Sequence, residues 1–221
     1  VRETGLEIKQ AALESVPTLI KYADQVPYWQ TAEAELTAAA ANFAPQGEMG
    51  DWCQLISCAP DAENRALAAA LYRFGVDSYA HLLSRLESAS HSEREELAAL
   101  ALAKREKHDI PLREFEYAAY TIDLVLDQGA YFELKRHRMM TQTPQPLSTR
   151  LGYALPRQMV AAGLETPFRQ AMRAAQACYD EIAAFNPHAA SYVVPNAFNR
   201  RVLLGCNWRS RSAERQWVVT R

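Results

Sequence analysis

The spacing of apolar positions predicts two helices before the first clear break in the chain. In residues 5–24 the apolar side chains recur close to the helical period, and Pro17 is expected to end or kink that helix. An alanine-rich segment predicts a second helix over residues 31–42. The segment 45–51 contains one proline and two glycines, so it is interpreted as a linker.

Beyond residue 51 the pattern changes to short apolar runs that alternate with amphipathic segments. Helices are predicted at residues 62–74, 78–87, 93–107, 129–136 and 167–185. Strands or extended segments are predicted at residues 52–58, in the second half of 115–126, at 192–195 and at 201–204. Ser92, with Glu95 three residues later, predicts a capping box for one of these helices. We therefore predict a helix-rich α+β fold, in which helices flank a modest mixed sheet.

The composition is that of an ordinary globular chain. Of the 221 residues, 49% are hydrophobic and 23% are charged, which argues against disorder. The net charge of −2 gives no overall positive field for capturing nucleic acid. No window approaches the roughly 20 apolar residues that cross a bilayer, and no secretory signal opens the chain. We therefore expect a cytoplasmic protein that binds neither nucleic acid nor a membrane.

The cysteine and histidine positions do not predict a metal site. The four cysteines are scattered and lack CxxC spacing: they are Cys53, Cys58, Cys178 and Cys206. We interpret them as small buried side chains in a reducing cytosol, in preference to a disulfide or zinc framework. The five histidines show no metal-ligand spacing either, so no metal is predicted.

Positive charge is concentrated in residues 135–150. Four cationic side chains fall within these sixteen residues, and no acidic residue lies among them. They are Lys135, Arg136, Arg138 and Arg150, with His137 between two of them. Like charges at this density repel one another unless an anion binds, and arginine binds oxyanions through two parallel hydrogen bonds. A solvated basic turn is the alternative. Because an apolar segment, 117–126, precedes the cluster, we favour an anion site at the edge of a core.

Two short motifs in this stretch resemble the signature of the flavin-dependent thymidylate synthases. The motifs are Arg136-His137-Arg138 and, after a spacer of nine residues, Ser148-Thr149-Arg150. Further segments are similar to family elements in the same order: Phe115-Glu116 with Thr121, Tyr192–Pro195, and Asn207-Trp208-Arg209. The resemblance covers residues 52–221, which we interpret as one domain of that fold.

The resemblance implies an enzyme that methylates dUMP to dTMP. It implies FAD as the cofactor, and methylenetetrahydrofolate and NADPH as the other substrates. Reduced flavin supplies the hydride in that family, and the protein positions the reactants and stabilises an ionised uracil ring. In the family the sites lie at subunit interfaces, so the resemblance also implies a homo-oligomer.

The roles of individual residues are implied in the same way, position by position. The flavin and its phosphates are assigned to Arg136, His137 and Arg138, with further flavin contacts from Asn207 and Arg209. The substrate is assigned to Glu133, Ser148, Thr149 and Arg150, with Ser148 and Arg150 on the dUMP phosphate. Arg211 is the choice for the catalytic residue beside the uracil, where its charge favours the N3-deprotonated ring, and Arg209 is the other candidate.

Four features depart from the family pattern. The spacer between the motifs is two residues longer than in the family and contains Pro144 and Pro146. Glu133 stands where the family has a glutamine, and Ser191 stands where it has an arginine. The helical segment that the family places after Asn-x-Arg is missing after Arg209. These departures resemble a divergent branch with two such units in tandem.

The resemblance to this tandem branch implies a domain organisation and an alternative function. Residues 1–44 form a helical prefix that is similar to the tail of a preceding unit, and 45–51 link it to the main domain. In tandem pairs one copy commonly loses catalytic residues. A degenerate, non-catalytic unit with a flavin-binding, nucleotide-binding or scaffolding role is therefore the alternative. A nucleic-acid binder is disfavoured, because aromatic residues are not interleaved with the cations. Met139 and Met140 are interpreted as core packing and not as flavin contacts.

Overall fold

The chain divides into two units in the computed structural model, Val1–Met49 and Gly50–Arg221. The structure describes residues 2–21, 23–24, 26–43, 51–106 and 109–212, and for Arg2, Arg211 and Ser212 it describes the backbone alone. The predicted linker 45–51 lies outside the described residues except for Asp51. The assignment of residues 1–44 to a preceding unit stays a prediction.

The first unit consists of helices in its described part. They are α1 (Arg2–Ser15), α2 (Pro17–Ile20) and α3 (Pro27–Ala40). Pro17 separates α1 from α2 as predicted, because proline lacks the N–H that a continuing helix needs. α3 begins at Pro27, four residues before the predicted start, because the fixed φ of proline also suits the first position of a helix.

The second unit combines a four-stranded sheet with helices. Its strands are β1 (Cys53–Cys58), β2 (Ala119–Asp127), β3 (Thr141–Pro144) and β4 (Asn199–Asn207). Its helices in the described part are α4 (Ala62–Phe74), α5 (Tyr79–Ser88), α6 (His91–Leu102), α7 (Gln128–Leu134), α8 (Arg157–Ala161), α9 (Glu165–Phe185), α10 (Pro187–Ala190) and α11 (Trp208–Ser212). Short 3-10 turns lie at Arg113–Tyr117 and Ser191–Val193.

The order of the strands is β1-β2-β4-β3, and each neighbouring pair is antiparallel. The helix-rich α+β class is therefore confirmed, but the sheet is antiparallel where a mixed sheet was expected. The reason is the position of β4. β2 and β3 run in the same direction, and β4 lies between them and runs in the opposite direction.

Two local predictions in this unit are wrong, and one strand was not predicted. α6 is capped by Ser90 and Glu93, two residues before the predicted pair, with the Glu93 N–H donating to Ser90 Oγ at 3.2 Å. Residues 191–193 form a 3-10 turn where an extended segment was expected. The proline-containing spacer forms β3. Pro144 is accommodated there because β3 is an edge strand.

The two faces of the sheet differ, because side chains alternate along each strand. On the covered face, Tyr131 of α7 packs against Val202 and Leu204 of β4, and apolar residues of β2 surround them. The opposite, open face carries Asp123, which pairs with Arg201 at 2.8 Å. α7 therefore closes the covered face of the sheet.

A separate core supports the start of β4. Met172 and Tyr179 of α9 pack with the fully buried Phe198. Ala175 and Ile182 on the same face of α9 pack against this core as well, whereas Cys178 is exposed. Cys53 and Cys58 are exposed as well, so the interpretation of the cysteines as buried is correct only for Cys206.

Neither a membrane span nor a metal cluster is found in the described residues. No helix in the described part of the chain has the length and apolar character needed to cross a bilayer. The same residues contain no group of three or more histidine, cysteine or acidic side chains placed to hold a metal ion.

Candidate functional site

The first motif continues directly from α7, and we call it the first anchor (Arg136–Arg138). Gln142 of β3 fixes its position by donating to the carbonyls of Leu134 and His137, each at 3.0 Å. His137 is half-buried, and both arginine side chains of the anchor are exposed. The guanidinium groups of Arg136 and Arg138 are therefore exposed to solvent, while the hydrogen bonds from Gln142 hold the backbone of the anchor.

The second motif, which we call the second anchor (Ser148–Arg150), lies in a turn packed against the start of β4. Thr149 is only 3% exposed, and Gly152 adopts a φ of +67° that favours glycine. Asn199 holds the turn. Its backbone N–H donates to the Gly152 carbonyl at 2.9 Å, and its side chain donates to the Leu151 carbonyl at 3.0 Å. Arg150 is exposed, and its side chain forms no ion pair with any residue that the structure describes.

The two anchors lie at opposite ends of β3. Thr141, just after the first anchor, pairs with Gly205 of β4. The second anchor is held by Asn199, six residues earlier on the same strand. At about 3.3 Å per residue, this separation is roughly 20 Å. Within one chain the points at which the two anchors are held along β4 are therefore well separated.

A cleft of about 360 Å³ lies beside the first anchor, where the ends of the strands meet. Its lining includes Ser57 of β1, Thr121 of β2, Thr141 of β3, Gly205 and Asn207 of β4, and Met139. The structure therefore places Asn207 at the same cleft as Met139, the residue that follows the first anchor, although the two are 68 positions apart in the sequence. Met139 is 54% exposed, so its interpretation as core packing is wrong, whereas Met140 is buried as predicted.

Sequence reasoning missed the part that Gly205 and Thr141 play in this cleft. A Cβ at Gly205 would lie 3.4 Å from the Thr141 Cβ, at the short end of an ordinary van der Waals contact. Gly205 and Thr141 thus lie side by side in the lining of the cleft. A glycine inside a strand pattern marks a close approach of this kind, and that signal was present in the sequence.

Asn207 and Arg209, the predicted additional flavin contacts, are both engaged within the chain. The Asn207 side chain accepts from the N–H of Ser210 at 2.8 Å and so caps α11. Arg209 Nη1 lies 2.5 Å from Glu116 Oε1, at a second cleft of about 440 Å³ that Arg113 also lines. The Arg209 Nε is buried and has no partner among the described residues. Both side chains therefore support the local structure.

Glu133 also pairs within the chain, with Arg136 of the first anchor. Its Oε1 lies 3.1 Å from Arg136 Nη2, and both side chains are largely exposed. Ser191 donates its hydroxyl to the His188 carbonyl at 2.8 Å. The backbone of Arg211 lies in α11, but the side chain of this predicted catalytic residue lies outside the described structure. The predicted roles of all these residues stay predictions.

Residues 54–212 match the family model described as thymidylate synthase complementing protein. The match covers well over half of the chain. The chain belongs to this family, the flavin-dependent thymidylate synthases. The match confirms the resemblance that was inferred from the two motifs. The matched residues include both anchors, the residues that line the cleft, and α11.

Two chlamydial proteins are similar to nearly the whole chain. The UPF0159 protein of Chlamydia muridarum (strain MoPn / Nigg) is 31% identical over 221 residues, which is 95% of this chain and 42% of that protein. The UPF0159 protein of Chlamydia pneumoniae is 27% identical over 230 residues, covering 99% of this chain and 42% of that protein. The chain thus spans less than half the length of these relatives.

A solved structure shares the fold over most of this chain. The UMP/dUMP methylase PolB from Streptomyces cacaoi, bound with 5-Br dUMP, matches with a TM-score of 0.55 and 14% identity over 72% of this chain and 73% of that chain. The flavin-dependent thymidylate synthase ThyX from Helicobacter pylori, complexed with FAD and dUMP, gives a TM-score of 0.48 and 16% identity over 72% and 80% of the two chains.

Proposed function

We propose that this chain is the unit of a flavin-dependent thymidylate synthase that binds FAD and dUMP and methylates dUMP to dTMP. Methylenetetrahydrofolate and NADPH are the proposed co-substrates. The observation that carries the proposal is the first anchor, which presents two exposed guanidinium groups next to Met139, a residue that lines the same cleft as Asn207. Because the chain spans 42% of its relatives' length, the activity is proposed for the protein that contains it.

The first anchor fits the diphosphate of FAD. Arg138 is exposed and forms no ion pair with any residue in the described ranges, so its two terminal nitrogens are available for a phosphate. Met139 supplies an apolar, polarisable wall next to that cation, which suits a flat heteroaromatic ring. Reduced FAD supplies the hydride in this chemistry. The residues of the chain hold and orient the cofactor, with Arg136 and His137 beside Arg138.

The second anchor fits the phosphate of dUMP. Arg150 offers an exposed guanidinium, and the Ser148 Oγ already accepts from the Arg150 N–H at 3.4 Å, which shapes the turn. Thr149 contributes through its backbone, because its side chain is buried. Arg211 is proposed beside the uracil ring, where a positive charge stabilises the N3-deprotonated form.

The distance between the anchors supports a site shared between chains or units. One chain places the anchors roughly 20 Å apart along β4. A homo-oligomer with sites at the interfaces allows the first anchor of one unit to meet the second anchor of another. A shared site of this kind explains why the arginines of both anchors are exposed in a single chain.

Two ion pairs favour the alternative, a degenerate unit that binds flavin or nucleotide without turnover. Glu133 pairs with Arg136, and Glu116 pairs with Arg209, so acidic partners engage two predicted cofactor arginines. Ser191 removes a further arginine expected in the family. Such a unit still binds a ligand through Arg138 and Arg150, but releases no product.

The decisive experiment separates binding from turnover. We expect the purified full-length protein to show the visible absorption of oxidised flavin after incubation with FAD. We also expect tritium release from 5-tritiated dUMP when methylenetetrahydrofolate and NADPH are supplied. Flavin binding without release supports the degenerate unit, whereas a folded native oligomer that binds neither FAD nor dUMP contradicts both candidates.

Replacing Glu133 with glutamine should raise the affinity for FAD by about 1.4- to 5-fold at low salt. The change frees Arg136 from an exposed ion pair of about 0.2–1 kcal/mol, and 1.4 kcal/mol corresponds to a factor of ten. Titration of the apoprotein with FAD measures the affinity, and the gain should shrink at high salt. Glu165→Gln is the matched control, because Glu165 pairs with Arg169 on α9. A gain equal to that of the control would contradict the assignment.

A further inference from the structure

The spacer between the two anchors consists of residues 139–147. Side-chain contacts on the covered face of the sheet hold this spacer at two points, one near its start and one near its end. Near its start, Gln142 of β3 lies opposite Leu204 and so points to that face. Its amide nitrogen donates to two carbonyls, those of Leu134 and His137, each at 3.0 Å. One of these carbonyls ends α7, and the other belongs to the first anchor itself. Gln142 therefore holds the first anchor against the sheet.

Near the end of the spacer, Arg200 of β4 makes the corresponding contacts. Its Nη2 donates to the carbonyl of Gln145 at 2.5 Å, and its Nη1 donates to Gln128 Oε1 at 2.9 Å. The guanidinium carbon lies 4.7 Å from the centre of the Tyr131 ring, in a cation–π contact. Gln128 and Tyr131 are both buried in the start of α7. Gln145 lies three residues before the second anchor. Arg200 therefore connects the segment that leads into this anchor to α7.

The contacts of Arg200 distinguish it from the arginines of the anchors. Both of its terminal nitrogens are engaged by oxygens of the chain, and burial lowers the pKa of its guanidinium. Arg150, by contrast, has an exposed and unengaged side chain among the described residues. Arg200 therefore acts on ligands through the position of the spacer and not by direct contact.

We propose that Gln142 and Arg200 are positioning residues that set the two anchors independently, Gln142 the first and Arg200 the second. The proposal rests on the proposed function, in which the first anchor binds FAD and the second binds the dUMP phosphate. A displacement of a binding group by about 1 Å strongly weakens a directional contact. Each side chain fixes the backbone next to one anchor, and the length of β3 separates the two.

The experiment measures FAD affinity and dUMP affinity separately in the full-length protein. Arg200→Met should lower the dUMP affinity on the order of tenfold and change the FAD affinity by less than about twofold. Gln142→Leu should give the reverse pattern. Arg200→Lys should fall between the wild type and Arg200→Met, because an ammonium can still donate to the Gln145 carbonyl and lie over Tyr131. Circular dichroism and thermal unfolding establish that each variant is folded.

Gln128→Met provides a second variant for the case in which Arg200→Met does not fold. It removes the other partner of Arg200 and leaves the charge in place, so a smaller loss confined to dUMP is expected. Equal losses of both ligands in each variant would show purely structural roles and overturn the proposal. A wild-type protein that binds neither FAD nor dUMP refutes the proposed function, and the positioning roles fall with it.

Discussion

Replacing Phe198 with alanine should lower the free energy of unfolding by about 3–5 kcal/mol, the range seen for large cavities in packed cores. The side chain is 0% exposed and packs with Met172 and Tyr179 of α9. Its ring also meets the Tyr153 ring edge-on, with the centroids 5.6 Å apart. Alanine at this position leaves a cavity whose walls belong to several elements and cannot all close. Chemical denaturation followed by circular dichroism measures the change.

Phe185→Ala is the matched control, since Phe185 ends α9 with 93% of its surface exposed. We expect its free energy of unfolding to change by less than about 0.5 kcal/mol. Similar losses in the two variants would contradict the assignment of Phe198 to the core. Because Asn199, the next residue, holds the second anchor, Phe198→Ala should also weaken dUMP binding in the folded protein.

The apolar pattern predicted most of the fold because the helices of the second unit have one buried face. α4 and α9 begin and end within a few residues of the predicted limits. The pattern could not predict β3. That strand consists of a proline and three polar residues, and it exists because β4 provides a partner from far along the chain. Long-range pairing of this kind has no local signal.

For the candidate site, too, features set by neighbouring residues could be predicted, whereas features set by contacts between distant residues could not. The residue types of the two motifs are local, so they could be recognised and assigned to anions from the sequence. The ion pairs could not. Glu116 and Arg209 are 93 positions apart, and only the fold brings them together. The same is true of Met139 and Asn207 at the cleft. Glu133 and Arg136 lie three residues apart, and their helical spacing already allowed a pair.

Replacing Arg150 with alanine should lower the affinity for dUMP by about 10- to 100-fold, since a hydrogen bond to a charged group contributes about 1.5–3 kcal/mol. The affinity for FAD should change by less than about twofold, because Arg150 is assigned to the dUMP phosphate and the flavin phosphates are assigned to the first anchor. Stability should be unaffected, because the side chain is exposed and carries no ion pair among the described residues. Titration of the flavin-loaded protein with dUMP measures the loss.

Arg157→Ala controls for the general loss of one positive charge. Arg157 is exposed at the start of α8, seven residues after Arg150, and no motif includes it. We expect the dUMP affinity of Arg157→Ala to stay within about twofold of the wild type, because salt screens the effect of an exposed surface charge. Equal weakening of FAD and dUMP by Arg150→Ala would show that the two anchors serve one common site. In that case an oligomer must bring them together so closely that each ligand depends on both.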